Sequence, residues 1–303
     1  MAQFPAPKAR QTSRGSSERP DAGKITSRDN KWLKKFRAAL SGTGLQGDEP
    51  LGVEGPKLVE EALLSGLEAE ALLVSDAGEQ ALARILAAAA ASEAGIPRAR
   101  ILRTTDKLFA DVADTETPQG VAALFHQPQW GFEDILRGAG GSRGGAPLVV
   151  VLAGVQDPGN VGTIIRSAEA FGATGVVAAR GTADPWSPKA LRASAGSALR
   201  LPVLRGMAIP VLLAQLKMEQ VKIVAASARA GNSFVSPAWA VEERLALFIG
   251  SEGRGLPPEV EHAADAKISI PLNEAVESLN AAVAASVLLY EISRRRKATG
   301  ESA

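Results

Sequence analysis

The stretch DPGNVGTIIRSAEAFGATGVV, Asp157–Val177, decides how this chain is read. An apolar run, LVVVL, precedes it, and it opens with a tight turn that holds Gly159 and Gly162. Behind the turn, Val161, Ile164, Ile165 and Ala168 recur at helical spacing, so Val161–Phe171 predicts an amphipathic helix. Gly172 supplies its stop, and Val176–Ala179 reads as the next strand. Strand, turn, helix and strand make the repeating unit of a parallel α/β sheet. The turn is nevertheless no phosphate loop. It lacks the three glycines of GxGxxG, and GK[ST] follows none of the apolar strands. GxSxG follows none of them either, which removes a nucleophile elbow. In their place stand Asn160, where a helix N-cap belongs, and one cation, Arg166, about two turns in.

The same alternation runs outward from this stretch. Val149–Leu152 is a continuous apolar strand, as expected of a strand covered on both faces. Lys189–Ala198 and Val211–Met218 read as helices, Ile223–Ala226, Leu245–Ile249 and Ile268–Ile270 as strands, and Leu279–Arg296 as the closing helix. Sheets of this kind bind ligands beyond the carboxyl ends of their strands. Three loops lie there: Asp157–Asn160, Gly250–Gly255 (GSEGRG) and Pro271–Asn280 (PLNEAVESLN). Upstream, Lys31–Leu40 reads as a short basic helix, Val53–Leu64 as a helix, Ala71–Ser75 as a strand, Glu79–Ala94 as a helix and Gly120–Phe125 as a strand. The expected organisation is a disordered basic tail over 1–27, a small α/β domain over 28–126, a Gly-rich linker over 127–146 and a second α/β domain over 147–303.

Composition narrows the chemistry. The 303 residues include no cysteine, so disulfides, thiolate metal sites and cysteine nucleophiles are excluded. The only histidines are His126 and His262, too few for a histidine metal site, and no metal is expected. Catalysis must run on Asn, Ser, Arg, Lys and carboxylates, or on a cofactor. No apolar run reaches the roughly 18 residues of a membrane span, so a soluble chain is expected, and the lack of cysteine fits a cytoplasmic one. The net charge is only +1, but residues 1–40 hold ten Lys and Arg against three Asp and Glu, a formal +7. A basic arm on a mildly acidic body suggests a polyanion partner.

The three loops resemble the signature motifs of the SpoU (TrmH-like) class of RNA ribose 2′-O-methyltransferases, in the SPOUT superfamily. The first is Asn-x-Gly-x-x-x-Arg, present as Asn160, Gly162 and Arg166; the second is FIGSEGRGL; the third is ISIPLNEAVESLNAAVAASVLLYE. The resemblance covers about 145 residues in order and spacing. EGPKLVEEAL and TPQGVAAL are similar, more softly, to the small substrate-binding domain of the same family. What the resemblance implies is a C-terminal domain tied in a trefoil knot that forms an S-adenosylmethionine site. It also implies a homodimer with the RNA site shared across the interface. Large-subunit ribosomal RNA is the favoured substrate and tRNA the second. A catalytically weak RNA-binding protein is the alternative.

By the same resemblance, Arg166 acts on the ribose 2′-hydroxyl. A guanidinium is too basic to serve as a free base, so its fixed charge is expected to stabilise the developing alkoxide. Asn160 is a cap, or positions Arg166 or the ribose. Glu252 is a solvated loop charge, or orients Arg166 or an RNA hydroxyl. Ser278 and Asn280 shape the catalytic pocket, unless Ser278 only caps the last helix. Gly250, Ile270 and Leu279 match positions where main chain grips the cofactor. Glu274 stands where the family commonly has Gly. Arg254 and the Arg294–Lys297 cluster are candidate contacts to RNA phosphates.

Overall fold

The computed structural model describes residues 24–42, 49–92, 98–138, 146–227, 244–273 and 275–300. They form two compact units, one within Ala6–Gln129 and the other within Trp130–Pro185 and Lys189–Ala303.

The first unit begins with α1 (Lys31–Leu40), as expected. It buries Leu33, Phe36, Ala39 and Leu40, and its N-cap Asn30 accepts the Trp32 amide hydrogen. The helix expected from Val53 instead divides into β1 (Leu51–Glu54) and α2 (Pro56–Leu64). Gly55 between them has φ +96°, and Pro56 at the first helical position sets the start of α2. There follow β2 (Ala69–Ser75), α3 (Glu79–Ala91), β3 (Arg100–Thr104), α4 (Asp106–Ala110) and β4 (Val121–Phe125). The strands lie in the order β1-β4-β2-β3, with only β2 and β3 parallel. Ile25 falls in the expected disordered tail, yet it is buried and bridges Thr104. Its amide donates to the Arg103 carbonyl at 2.7 Å. Thr104 Oγ1 donates to the Ile25 carbonyl at 3.1 Å. A β-branched residue beside the open edge of β3 satisfies that edge and buries itself at once. Residues 1–23 of that tail lie outside the described residues.

The second unit begins inside the expected linker. There α5 (Phe132–Arg137) buries Ile135 and Leu136. It packs so closely that a Cβ on Gly175 would sit 2.8 Å from Ile135 Cδ1. The glycines that follow masked this short helix in the sequence. The chain continues through β5 (Leu148–Ala153), α6 (Pro158–Ala170), β6 (Gly175–Ala179), α7 (Pro188–Ser194), α8 (Ser197–Arg200), β7 (Val203–Met207) and α9 (Ile209–Met218). It ends with β8 (Lys222–Ala226), β9 (Leu245–Gly250), α10 (Pro258–Ala263), β10 (Ala266–Ile268) and α11 (Ala281–Gly300). The single helix expected over Lys189–Ala198 is broken, because Ala195 (φ +48°) and Gly196 (φ +88°) both take left-handed backbone.

The sheet order is β10-β8-β9-β5-β6-β7, parallel throughout. One face (Val149, Val151, Val177, Phe248) is covered by Ile135 of α5, Leu212 and Leu216 of α9 and Val260 of α10. On the other, α6 packs on β6 and α11 on β9 and α6. This is the mainly parallel, doubly covered α/β sheet that the sequence predicts. Adjacent β5 and β9 bring the loops at their carboxyl ends side by side. Among the described residues no helix is long and apolar enough to cross a membrane.

Candidate active site

The start of α6 differs from the expectation in one informative way. Its N-cap is Asp157, not Asn160: Asp157 Oδ1 accepts the Gly159 amide hydrogen at 3.0 Å, and Pro158 occupies the first helical position. Lys189 Nζ lies 2.6 Å from the same oxygen. That ion pair, and then the Gly159 bond, hold the Asp157 carboxyl below the usual carboxylate range. Relieved of capping, Asn160 uses both ends of its amide. Its Nδ2 donates to Glu252 Oε1 at 2.5 Å, and its Oδ1 accepts from Asn280 Nδ2 at 3.2 Å. Asn280 in turn caps α11, its Oδ1 accepting from the amides of Ala282 at 2.9 Å and Val283 at 3.3 Å. The cap of the closing helix is therefore Asn280 rather than Ser278. The polarity of this chain follows from the carboxylate. Glu252 only accepts, so Asn160 must show it the NH2 group, and each later group is then fixed in turn.

Glu252 reaches Asn160 because its loop is a tight hairpin. Ser251 and Gly255 exchange main-chain hydrogen bonds at 3.1 and 3.0 Å, and Gly255 has φ +68°. The hairpin folds back on Gly250 so closely that a Cβ there would lie 2.5 Å from the Gly255 carbonyl oxygen. Only glycine fits.

Beside this hairpin opens a cavity of about 820 Å³. Gly250, Glu252, Ile270, Ser278 and Leu279, all singled out from the sequence, line it. So do Ile249, Leu272 and Glu277, and the face of α11 bearing Ala281, Ala284 and Leu288, none of which was singled out for the site. The helical spacing of those three was visible, but it reads equally as core. Arg254 also borders the cavity and is exposed. The walls thus combine aliphatic side chains, strand-end main chain and carboxylates. That set suits a flat heterocycle carrying a cationic group. The cavity is of the size that holds a nucleoside-sized ligand. Glu274 lies outside the described residues.

Asn160, Asn280 and Arg166 do not line this cavity. Arg166 is exposed on the face of α6 that also carries Thr163 and Ala170. Its side chain makes no hydrogen bond or ion pair among the described residues. The next residue, Ser167, turns inward and meets Ser286 of α11, Oγ to Oγ, at 2.7 Å. The expected partnership of Glu252 or Asn160 with Arg166 is therefore absent from this arrangement; the two pair with each other.

The Arg294–Lys297 cluster is largely committed to the fold. Arg294 and Arg295 bind Glu291, whose carboxyl they pull down to about 2. Arg296 donates to the carbonyls of Ala146 at 2.6 Å and Pro147 at 3.2 Å. Among the described residues no group of His, Cys, Asp and Glu is placed to hold a metal ion.

Comparison with known proteins agrees with this geometry. Residues 147–290 match the model of the SpoU rRNA Methylase family, and residues 48–123 that of the MRM3-like substrate binding domain. The chain is 35% identical over 240 residues to the 23S rRNA (guanosine(2553)-2′-O)-methyltransferase RlmP of Bacillus subtilis, covering 79% of this chain and 87% of that one. It is 31% identical to an uncharacterized tRNA/rRNA methyltransferase of Synechocystis, over 91% and 95% of the two chains. The crystal structure of an AdoMet-bound rRNA methyltransferase from Sinorhizobium meliloti superposes with a TM-score of 0.73 at 28% identity, over 90% of this chain and 97% of that one. That of the SpoU methyltransferase AviRb from Streptomyces viridochromogenes, in complex with AdoMet, gives 0.74 at 26% identity, over 88% and 98%. With the sheet, its three loops and these likenesses together, the chain belongs to the SpoU rRNA methylase family.

Proposed function

We propose that this protein transfers a methyl group from S-adenosylmethionine to a ribose 2′-hydroxyl of structured RNA, with large-subunit ribosomal RNA favoured and tRNA second. The observation that carries the reading is the hydrogen-bonded chain Glu252–Asn160–Asn280, which ties all three signature loops together beside the cavity. The named activity of the Bacillus subtilis relative supports the ribosomal substrate. AdoMet in two structural neighbours supports the cofactor.

The residues present fit that cofactor. Ile249, Ile270, Leu272, Leu279 and Leu288 offer an apolar slot for adenine, and the main chain at Gly250, Ile270 and Leu279 offers it polar edges. Glu252 and Glu277 supply negative charge for a cationic ligand. When bound, S-adenosylmethionine supplies the methyl group on a sulfonium whose thioether is already a good leaving group. The protein's task is then alignment and charge. Asn160 and Asn280 hold Glu252 at the cavity, and Ser278 lines its rim. Arg166 places a permanent cation beside the ribose oxygen as its charge develops and the hydroxyl proton passes to solvent water, and holds a neighbouring phosphate.

Arg166 lies outside the cavity of its own chain, which supports a homodimer in which one copy's Arg166 serves RNA held at the other's cavity. An exposed apolar stripe on α11 supports the same assembly: Val283, Val287 and Tyr290 are 48%, 40% and 54% exposed. Tyr290 leans edge-on against Phe171, 5.8 Å between ring centres, so the stripe continues onto the end of α6. The trefoil knot belongs to the same proposal. Leu272 and Glu277–Leu279 line the cavity together with the 251–255 hairpin, and α11, which follows them, packs on α6. The cytoplasm is the compartment this reading implies.

The test is methyl transfer from labelled S-adenosylmethionine to ribosomal RNA and, separately, to tRNA, both from cells lacking the protein. Label in one RNA supports the reaction and selects the substrate. Cofactor binding with no label in either supports a binding protein instead.

A further inference from the structure

The first unit carries a surface that the transfer chemistry leaves unused. Trp32 of α1 is half-buried and packs against the apolar cluster that includes Leu33, Phe36 and Leu102. Two cations stand over its ring: Lys35 Nζ at 5.6 Å and Arg100 Cζ at 5.9 Å from the centroid. They are not equivalent. Lys35 is held by Glu70, with Nζ 2.5 and 2.6 Å from the two carboxylate oxygens. Arg100, the first residue of β3, is exposed and has no ion pair among the described residues. Lys31, beside Trp32, and Arg98, two residues before Arg100, are also exposed and also make no ion pair among the described residues. Lys34 is engaged by Asp29 at 3.2 Å.

An indole with one tethered and one displaceable cation, set among unneutralised charges, has the chemistry of a single-strand platform. Every nucleobase has a face that stacks on an aromatic ring, and cations around the ring take the phosphates. A purely apolar partner would leave those charges unmatched. We propose that this patch binds a single-stranded segment of RNA. One base stacks on Trp32 in place of Arg100, and Arg100, Lys31 and Arg98 then contact the adjoining phosphates. This inference rests on the RNA reading above and adds to it a grip on substrate in the first unit.

The test uses the full chain and fluorescence anisotropy with a short labelled single-stranded RNA, against an RNA duplex of equal length, at several salt concentrations. Trp32→Leu keeps apolar packing under the patch but removes the stacking face, and is expected to weaken single-strand binding by about 5- to 100-fold. Arg100→Glu, a change at an exposed side chain, is expected to weaken it as well and to reduce the salt slope by about one. Arg100→Lys is expected to restore the slope. Because Arg100→Glu does not touch the core, it decides the matter if Trp32→Leu fails to fold. Folded variants that bind the single strand as tightly as the wild type, or equal loss on duplex and single strand, overturn the proposal. Wild-type methyl transfer that both variants retain with unchanged RNA affinity removes the patch and leaves the reaction standing. Trp32-dependent binding without methyl transfer to any RNA does the reverse.

Discussion

Gly162→Ala offers a test in which two physical effects predict opposite signs. Gly162 is buried within α6, and alanine in a helix interior is favoured over glycine by about 1 kcal/mol. On propensity alone the variant gains stability. The structure says otherwise. A Cβ at this position would lie 2.7 Å from Ala193 Cβ and 2.9 Å from the Ser194 nitrogen, and would press on the Ala190 carbonyl oxygen. These neighbours are backbone or Cβ atoms of α7, so no side chain can swing aside. Relief requires α6 and α7 to part by about 0.5–1 Å, and overpacking of this kind costs about 1–3 kcal/mol. After the propensity gain of about 1 kcal/mol, the net expectation is a loss of about 0–2 kcal/mol, a fall in Tm of up to several degrees for a unit of this size. Activity should suffer more than stability. Asn160 rides on the same helix, and its bonds of 2.5 and 3.2 Å to Glu252 and Asn280 are short enough to feel the shift. Misplacement approaching 1 Å costs about 100-fold in rate. Thermal or urea denaturation of both proteins, with methyl-transfer rates on the same samples, measures both quantities. A variant as stable as the wild type or more so, with full activity, refutes the close approach of α6 to α7.

Three further perturbations separate the parts of the site. Gly250→Ala drives a Cβ into the Gly255 carbonyl and within 2.6 Å of the Leu256 nitrogen, so calorimetry should show S-adenosylmethionine affinity falling by about tenfold or more with the hairpin displaced; unchanged affinity contradicts the packing argument. Glu252→Gln keeps an oxygen for Asn160 but removes the charge, so Tm should hold within a degree or two while kcat/KM falls by about tenfold or more; equal loss of both assigns Glu252 to the fold alone. Glu291 is held at about 2, against an ordinary 4.5, first by Arg294 and then by Arg295. A depressed folded value means that its stabilisation is complete above about pH 4.5 and is lost as pH falls toward 2. For a surface cluster this is about 1 kcal/mol. Urea melts of Glu291→Gln should therefore differ from the wild type by that amount at pH 6 and converge near pH 2, whereas a constant difference contradicts the assignment.

The apolar face of α6 was legible because burial enforces periodicity: Val161, Ile164, Ile165 and Ala168 are all buried. The meeting of three loops was legible because each follows an apolar strand of a parallel sheet. The cap was misassigned although the signal was present. Asp-Pro before a helical run marks a cap followed by the first helical residue, and Asp157–Pro158 fills those roles. That reassignment frees the Asn160 amide for Glu252 and Asn280, a long-range pairing that no local pattern encodes. Other elements were hidden by composition. α5 lies next to a glycine-rich run, and β3 (RILRT) mixes charge and apolar residues because its edge is open save for Ile25. The break at Ala195 is the least legible, since alanine does not announce a left-handed backbone.

The most direct test of the reaction locates the methyl group itself. RNA labelled by the wild-type protein is hydrolysed in alkali, which needs a free 2′-hydroxyl to cut the chain. If the reaction is ribose methylation, the label survives in an alkali-resistant dinucleotide, and Arg166→Ala lowers its yield by about 100- to 1,000-fold while S-adenosylmethionine still binds. Label recovered in mononucleotides would place the methyl group on a base, and full activity in Arg166→Ala would remove its cation from the chemistry; either result contradicts the account.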